Sequence, residues 1–166
     1  MAWQRGPRKP RELSADPAEA RTRALALLAG RDYASAELYE KLCAHHTPEA
    51  AAQAVAGLVQ AGLLDDARYA LLKARSLQRA RKSRLAAAMA LRGKGLTDEQ
   101  IDAALEEVYA PREDADPELE AACALVAGPY RSKLAAGRRD LVAAALARRG
   151  FPHRVIRQAL DGAGEE

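Results

Sequence analysis

Few residues in this chain have the type and spacing that chemistry needs. Cys43-Ala44-His45-His46 is the densest run of metal-ligating side chains. Ligands packed so closely rarely close a tetrahedral site, and no second Cys/His cluster completes it. The run reads as a helix terminus, with histidines near the negative end of the dipole. Asp65-Asp66 could serve as paired carboxylates for acid–base work. They stand just before Ala67-Arg68-Tyr69-Ala70, where two acids suit an N-cap and first turn. Gly93-Lys94-Gly95 lacks the spacing and hydroxyl of a P-loop and reads as a helix stop. No GxGxxG or HExxH occurs. A binding protein is expected, not an enzyme, with no metal and no cofactor.

The sign of the charge along the chain is more informative. No acidic residue lies between Asp66 and Asp98, yet Arg68, Lys73, Arg75, Arg79, Arg81, Lys82, Arg84, Arg92 and Lys94 fall in that gap. Like charges at helical spacing repel by roughly 0.2–0.5 kcal/mol per pair, so surface helices usually mix signs. A second run holds Arg131, Lys133, Arg138, Arg139, Arg148, Arg149, Arg154 and Arg157 against Asp140 alone before Asp161. Between the two lies an acidic block, from Asp98 and Glu99 through Glu106 and Glu107 to Asp116, Glu118 and Glu120, with only Arg112 opposing it. The formal net charge is a modest +3, so the distribution matters more than the total. Arginine outnumbers lysine in both basic runs, which suits forked contacts with phosphate or carboxylate. An anionic partner is expected. The candidate contacts are Arg68, Arg75, Arg79, Arg81, Lys82, Arg84, Arg92 and Lys94 in the first run, with Arg131, Lys133, Arg138, Arg139, Arg148 and Arg149 in the second. The competing reading is a solvated basic face without a partner.

The elements that must position these residues are helices. The hydrophobic share of 49% is inflated by alanine, and aromatics are 4%, which suits close-packed helices. Asp16-Pro17, Thr47-Pro48 and Asp116-Pro117 pair an N-cap with a proline at the first helical position. Thr97 and Gln100 form a capping box. Gly62-Leu63, Gly95-Leu96 and Gly150-Phe151 are helix stops. In a helix from about Ala67, the positions Arg68, Arg75 and Arg79 share one face and Ala70, Ala74 and Leu77 the opposite, core-facing one. About nine helices and no strand are predicted.

ALRGKGLTDEQIDAAL (90–105) and ALARRGFPHRVIRQAL (145–160) align without gaps, and 36–55 is a weaker copy. The repeat predicts an all-α fold of tandem three-helix repeats in an elongated, curved array. The expected divisions are a basic, disordered arm at 1–15 and repeats at 16–66, 67–110 and 111–166, with a hinge near 109–118. Cys43 and Cys123 are read as reduced thiols of a cytoplasmic protein. No run approaches the roughly 20 apolar residues that span a bilayer, so no membrane association is expected, and the chain is read as a monomer.

SAELYEKL (35–42), GLLDDARYA (62–70), the Arg75 and Arg79 pair and LRGKGLTDEQIDAAL (91–105) together resemble the RecX family of bacterial regulatory proteins. The resemblance spans about 22–160 and is strongest over 35–105. It implies an all-helical array of tandem three-helix repeats that binds the RecA recombinase filament, many relatives lodging in its groove, and usually restrains ATPase and strand exchange in recombination, DNA repair and the SOS response. On that reading the basic face meets the RecA filament together with single- and double-stranded DNA, without sequence preference, and the acidic segment points away from DNA or meets basic patches on RecA. The chain departs from the family in one turn. Many relatives carry Gly-x-Gly-Pro after the Asp-Asp motif, whereas this chain has RARKSRLA (79–86). That junction is therefore expected to be more continuous and more basic. The alternative is a stand-alone helical DNA-binding protein such as a transcriptional regulator, since 35–66 has the helix–break–helix pattern of a winged helix. A third reading is a helical scaffold for an unrelated protein.

Overall fold

A computed structural model of the chain describes residues 12–163. Most of the basic arm expected at 1–15 lies outside the described residues. Its inner end is ordered: Ser14 N donates to His45 O at 3.0 Å, and Thr47 N donates to Ser14 O at 2.9 Å. The described residues are all-α apart from two isolated bridges. They form two compact units that divide between Asp65 and Asp66.

The first unit holds α1 (Pro17–Gly30), α2 (Ser35–Cys43) and α3 (Pro48–Gln60). Asp16 caps α1 through Ala18 N at 2.8 Å, and Thr47 caps α3 through Ala50 N at 3.3 Å. Ala20, Ala24, Leu38, Leu42, Ala54 and Leu58 close the core. His45 and His46 follow the end of α2, and His46 is buried with neither ring nitrogen hydrogen-bonded.

The second unit holds α4 (Asp66–Arg79), α5 (Arg84–Arg92), α6 (Asp98–Tyr109), α7 (Pro117–Ala127), α8 (Arg131–Ala135), α9 (Arg139–Arg148) and α10 (His153–Gly162). Ala70 and Ala74 of α4 are fully buried, so α4 packs closely on α6, whose Ile101, Ala104 and Leu105 face inward. Thr97 and Gln100 make the expected capping box. Val126, Val142, Leu146, Phe151, Val155 and Leu160 form a second core among α7, α9 and α10. The helix not expected from the sequence, α8, is five residues long and has no side-chain cap, which leaves no signal to predict it.

Segment 109–118, expected as a hinge, carries hydrogen bonds at both ends and a bridge between. The Tyr109 hydroxyl donates to Lys82 O at 3.1 Å. Arg112 and Ala115 exchange backbone hydrogen bonds. Asp116 caps α7 by accepting from Glu118 N at 3.0 Å and Leu119 N at 3.1 Å, and its other oxygen meets Arg154 at 3.1 Å. Burial works to raise the Asp116 carboxyl. The hydrogen bonds from Leu119 N, Arg154 and Glu118 N outweigh it and hold the group below the usual carboxylate range.

A depressed folded-state value means that the unfolded chain binds more protons in acid, so this contribution is present above the unfolded value and is lost as pH falls through the folded one. Asp116→Ala should cost about 1 kcal/mol at neutral pH, whereas Asp116→Asn should keep most of the cap and lose the acid-dependent part. Urea midpoints between about pH 7 and pH 3 measure both effects.

Candidate functional site

The structure sorts the candidate cations into three groups. Arg68, Arg75 and Arg79 are exposed on α4, opposite buried Ala70 and Ala74 and half-buried Leu77. This face is not bare. Arg75 meets Glu107 at 2.6 Å, Arg84 meets Glu106 at 3.4 Å and Arg92 meets Asp98 at 2.7 Å. The acidic block therefore turns back onto the first basic run. The cause is packing: α6 buries Ile101 and Leu105 against α4 and α5, which brings its acids alongside their arginines. Each exposed pair is worth about 1 kcal/mol or less, yet together they neutralise much of the charge on that face. A mixed-charge cleft of about 290 Å³ beside it is lined by Arg75, Gln78, Glu107, Arg112 and Glu120 among others. Arg68 and Lys94 have interaction partners too.

A second group lies toward the C-terminus. Arg138 pairs with Asp140 at 3.7 Å, while Arg139 donates to Leu160 O at 2.9 Å and pairs with Asp161. Arg131 and Arg139 line a cleft of about 470 Å³ with Leu134 and Leu160. Arg148 is exposed on α9.

The third group converges where three turns meet. Ser83 is wholly buried. Its hydroxyl caps α5 by accepting from Ala86 N at 3.1 Å and donates to Arg149 O at 2.7 Å. Gly150, at φ +86, lies so close that a Cβ there would stand 2.9 Å from the Ser83 oxygen and 3.3 Å from Leu85. Only glycine fits that approach with that backbone. The start of α5 is thus seated on the α9–α10 turn. Arg81 extends toward Gly128 at the end of α7, its Nη1 4.0 Å from the place of a Cβ there. Arg149 Nε donates to the Tyr130 hydroxyl at 2.9 Å. The Arg149 guanidinium and the Lys133 ammonium lie 5.6 and 5.9 Å from the Tyr130 ring centre, within cation–π range. Arg81, Lys82, Lys133 and Arg149 pair with no carboxylate among the described residues. The two basic runs therefore meet here through Arg81 and Lys82 on one side and Lys133 and Arg149 on the other.

The junction expected to be continuous is broken. α4 stops at Arg79, and Arg81 takes the left-handed conformation at φ +57. Arg81 N bonds Gln78 O at 2.9 Å and Lys82 N bonds Leu77 O at 3.1 Å, a doubly bonded helix stop with arginine in the glycine position. Sequence reading missed Ser83 and Tyr130 as parts of this corner. The signal for Ser83 was its N-cap position before Arg84-Leu85-Ala86; Tyr130 offered none.

No group of histidine, cysteine and acidic side chains that could hold a metal occurs among the described residues. No helix among them is long and apolar enough to cross a membrane. These features define an all-α helical array with a cationic corner. A family model described as RecX, second three-helix domain, matches residues 65–105. The regulatory protein RecX of Trichlorobacter lovleyi (strain ATCC BAA-1151 / DSM 17278 / SZ) is 39% identical over 154 residues, covering 89% of this chain and 97% of that protein. The crystal structure of RecX from Lactobacillus salivarius shares the fold, with a TM-score of 0.74 at 18% identity over 91% of this chain and 98% of that one. A crystal structure of regulatory protein RecX gives 0.76 at 25% identity over 87% and 73%. The chain belongs to the RecX family of regulatory proteins.

Ser83→Ala should destabilise the protein by about 1–2 kcal/mol, since it removes a cap and leaves the Arg149 carbonyl short of a donor. A loss within about 0.5 kcal/mol in urea denaturation, the range of ordinary surface changes, would contradict this double role.

Proposed function

We propose that this chain is a non-enzymatic regulator that binds RecA recombinase filaments, and DNA through its basic surfaces, and restrains RecA ATPase and strand exchange. Membership of the RecX family supports this reading, through 39% identity that covers nearly all of a relative. The cations left unneutralised at the corner supply a physical means of meeting an anionic filament. Contacts with phosphates carry no sequence information, so single- and double-stranded DNA are both partners and sequence preference is absent. The protein acts in the cytoplasm as a monomer built of three tandem helical repeats, at 16–66, 67–110 and 111–166, the third carrying the short α8 besides its three longer helices.

Co-sedimentation with RecA filaments on single-stranded DNA with nucleotide, compared with the same DNA alone, tests the partner. Pelleting with filaments in excess of DNA alone is expected, with a fall in ATPase rate and strand exchange as the chain is titrated. Equal pelleting with bare DNA favours a stand-alone DNA-binding protein. A rise in ATPase rate overturns the restraining role.

A further inference from the structure

We propose that the corner formed by the α4–α5, α7–α8 and α9–α10 turns is where this chain holds the phosphodiester backbone of DNA, with Arg81 as its leading contact. The proposal rests on the DNA-binding reading above and says which cations serve it.

The first ground is the backbone at Arg81. Three other helices of this chain end in the same doubly bonded stop, and the left-handed residues there are Gly62, Gly137 and Gly150. At the α4 stop the residue is Arg81, which incurs a steric cost that glycine avoids. Among the described residues, the end of α7 at Gly128 is the one feature near its guanidinium that favours a cation. The side chain is exposed, and its guanidinium has no hydrogen-bond or ion-pair partner among the described residues. A backbone outlier with an unused charged side chain points to a ligand.

The second ground is the company Arg81 keeps. Lys82 follows it, and the Ser83 bond to Arg149 O brings the α9–α10 turn alongside. Arg149 and Lys133 flank Tyr130, whose hydroxyl accepts from Arg149 and keeps its own proton to donate. Four cations, from the α4–α5 and α9–α10 turns and from α8, none paired with a carboxylate among the described residues, suit the regularly spaced charges of a polyanion. Arg75, Arg84 and Arg92 already hold carboxylates of this chain and would have to release them to bind phosphate.

The two classes of cation predict different behaviour. Binding of the full chain to a single-stranded oligonucleotide is followed against salt for wild type, Arg81→Gly, Arg81→Lys and Arg75→Gln. Arg81→Gly should raise the melting temperature by about 2–4 °C by relieving the left-handed residue. It should also flatten the log–log salt slope by about 0.7 and weaken binding about fivefold at 0.1 M salt, the counterion-release value of one phosphate contact. Arg81→Lys should keep the wild-type slope, and so should Arg75→Gln. An Arg81→Gly protein with wild-type slope and affinity overturns the proposal, as does Arg75→Gln flattening the slope equally. If Arg81→Gly weakens filament pelleting but leaves the slope for free DNA unchanged, the corner faces carboxylates of RecA and the DNA assignment falls while the regulatory reading stands. If Arg81→Gly behaves as predicted on DNA but wild type ignores RecA filaments, the regulatory reading falls and the corner stands.

Discussion

The hydroxyl of Ser83 must be satisfied because it is fully buried, and satisfying it joins two distant parts of the chain. A buried polar group left without a partner costs about 1–3 kcal/mol. Ser83 avoids that by capping its own helix and donating to Arg149 O. Neighbouring bonds reinforce the junction. Tyr109 donates to Lys82 O, and Glu118 of α7 accepts from Arg84 N at 2.9 Å. Burial raises the Glu118 carboxyl above its usual value, with the Arg84 N–H working against that shift. Residues 82–84 are thus held from α6, α7 and the α9–α10 turn. Without that anchorage the two basic runs would be separate features of the chain.

The anchorage also explains how so long an acid-free stretch is tolerated. Its arginines do not face one another alone. Glu106, Glu107 and Asp98 of α6 lie within ion-pair distance of Arg84, Arg75 and Arg92. The acidic block and the first basic run are halves of one surface, separated in sequence and rejoined by helix packing. Arg81, Lys82, Lys133 and Arg149, which pair with no carboxylate among the described residues, gather where three turns meet. This member of the family thus has one face on which Arg75, Arg84 and Arg92 hold carboxylates of the chain and one corner at which four cations hold none among the described residues.

Local features were legible in the sequence because a cap or stop depends on a few adjacent residues. Asp16, Thr47, Thr97 and Asp116 cap as predicted, and Gly62, Gly95 and Gly150 are left-handed as predicted. The burial of Ala70 and Ala74 followed from helical periodicity. Arg75 and Glu107 are 32 residues apart, and Ser83 and Arg149 are 66 apart. Such pairings depend on how helices pack, which periodicity within one helix does not encode. Arg81 was illegible for a different reason. The left-handed stop is recognised by glycine, and this turn lacks one. The family's Gly-x-Gly-Pro pattern marks the position, but its replacement suggests continuity, whereas the helix stops there with Arg81 left-handed.

If the corner holds DNA, both basic runs bind it as one surface. Photo-cross-linking a single-stranded oligodeoxynucleotide of about 6 nucleotides, within the length one compact site covers, tests it most directly. With adducts located by mass spectrometry, one short strand should mark both the 79–85 segment and the 128–133 or 149–151 segments. Adducts confined to one run, or gathered on the α4–α6 face around Arg75 and Arg92, would contradict it.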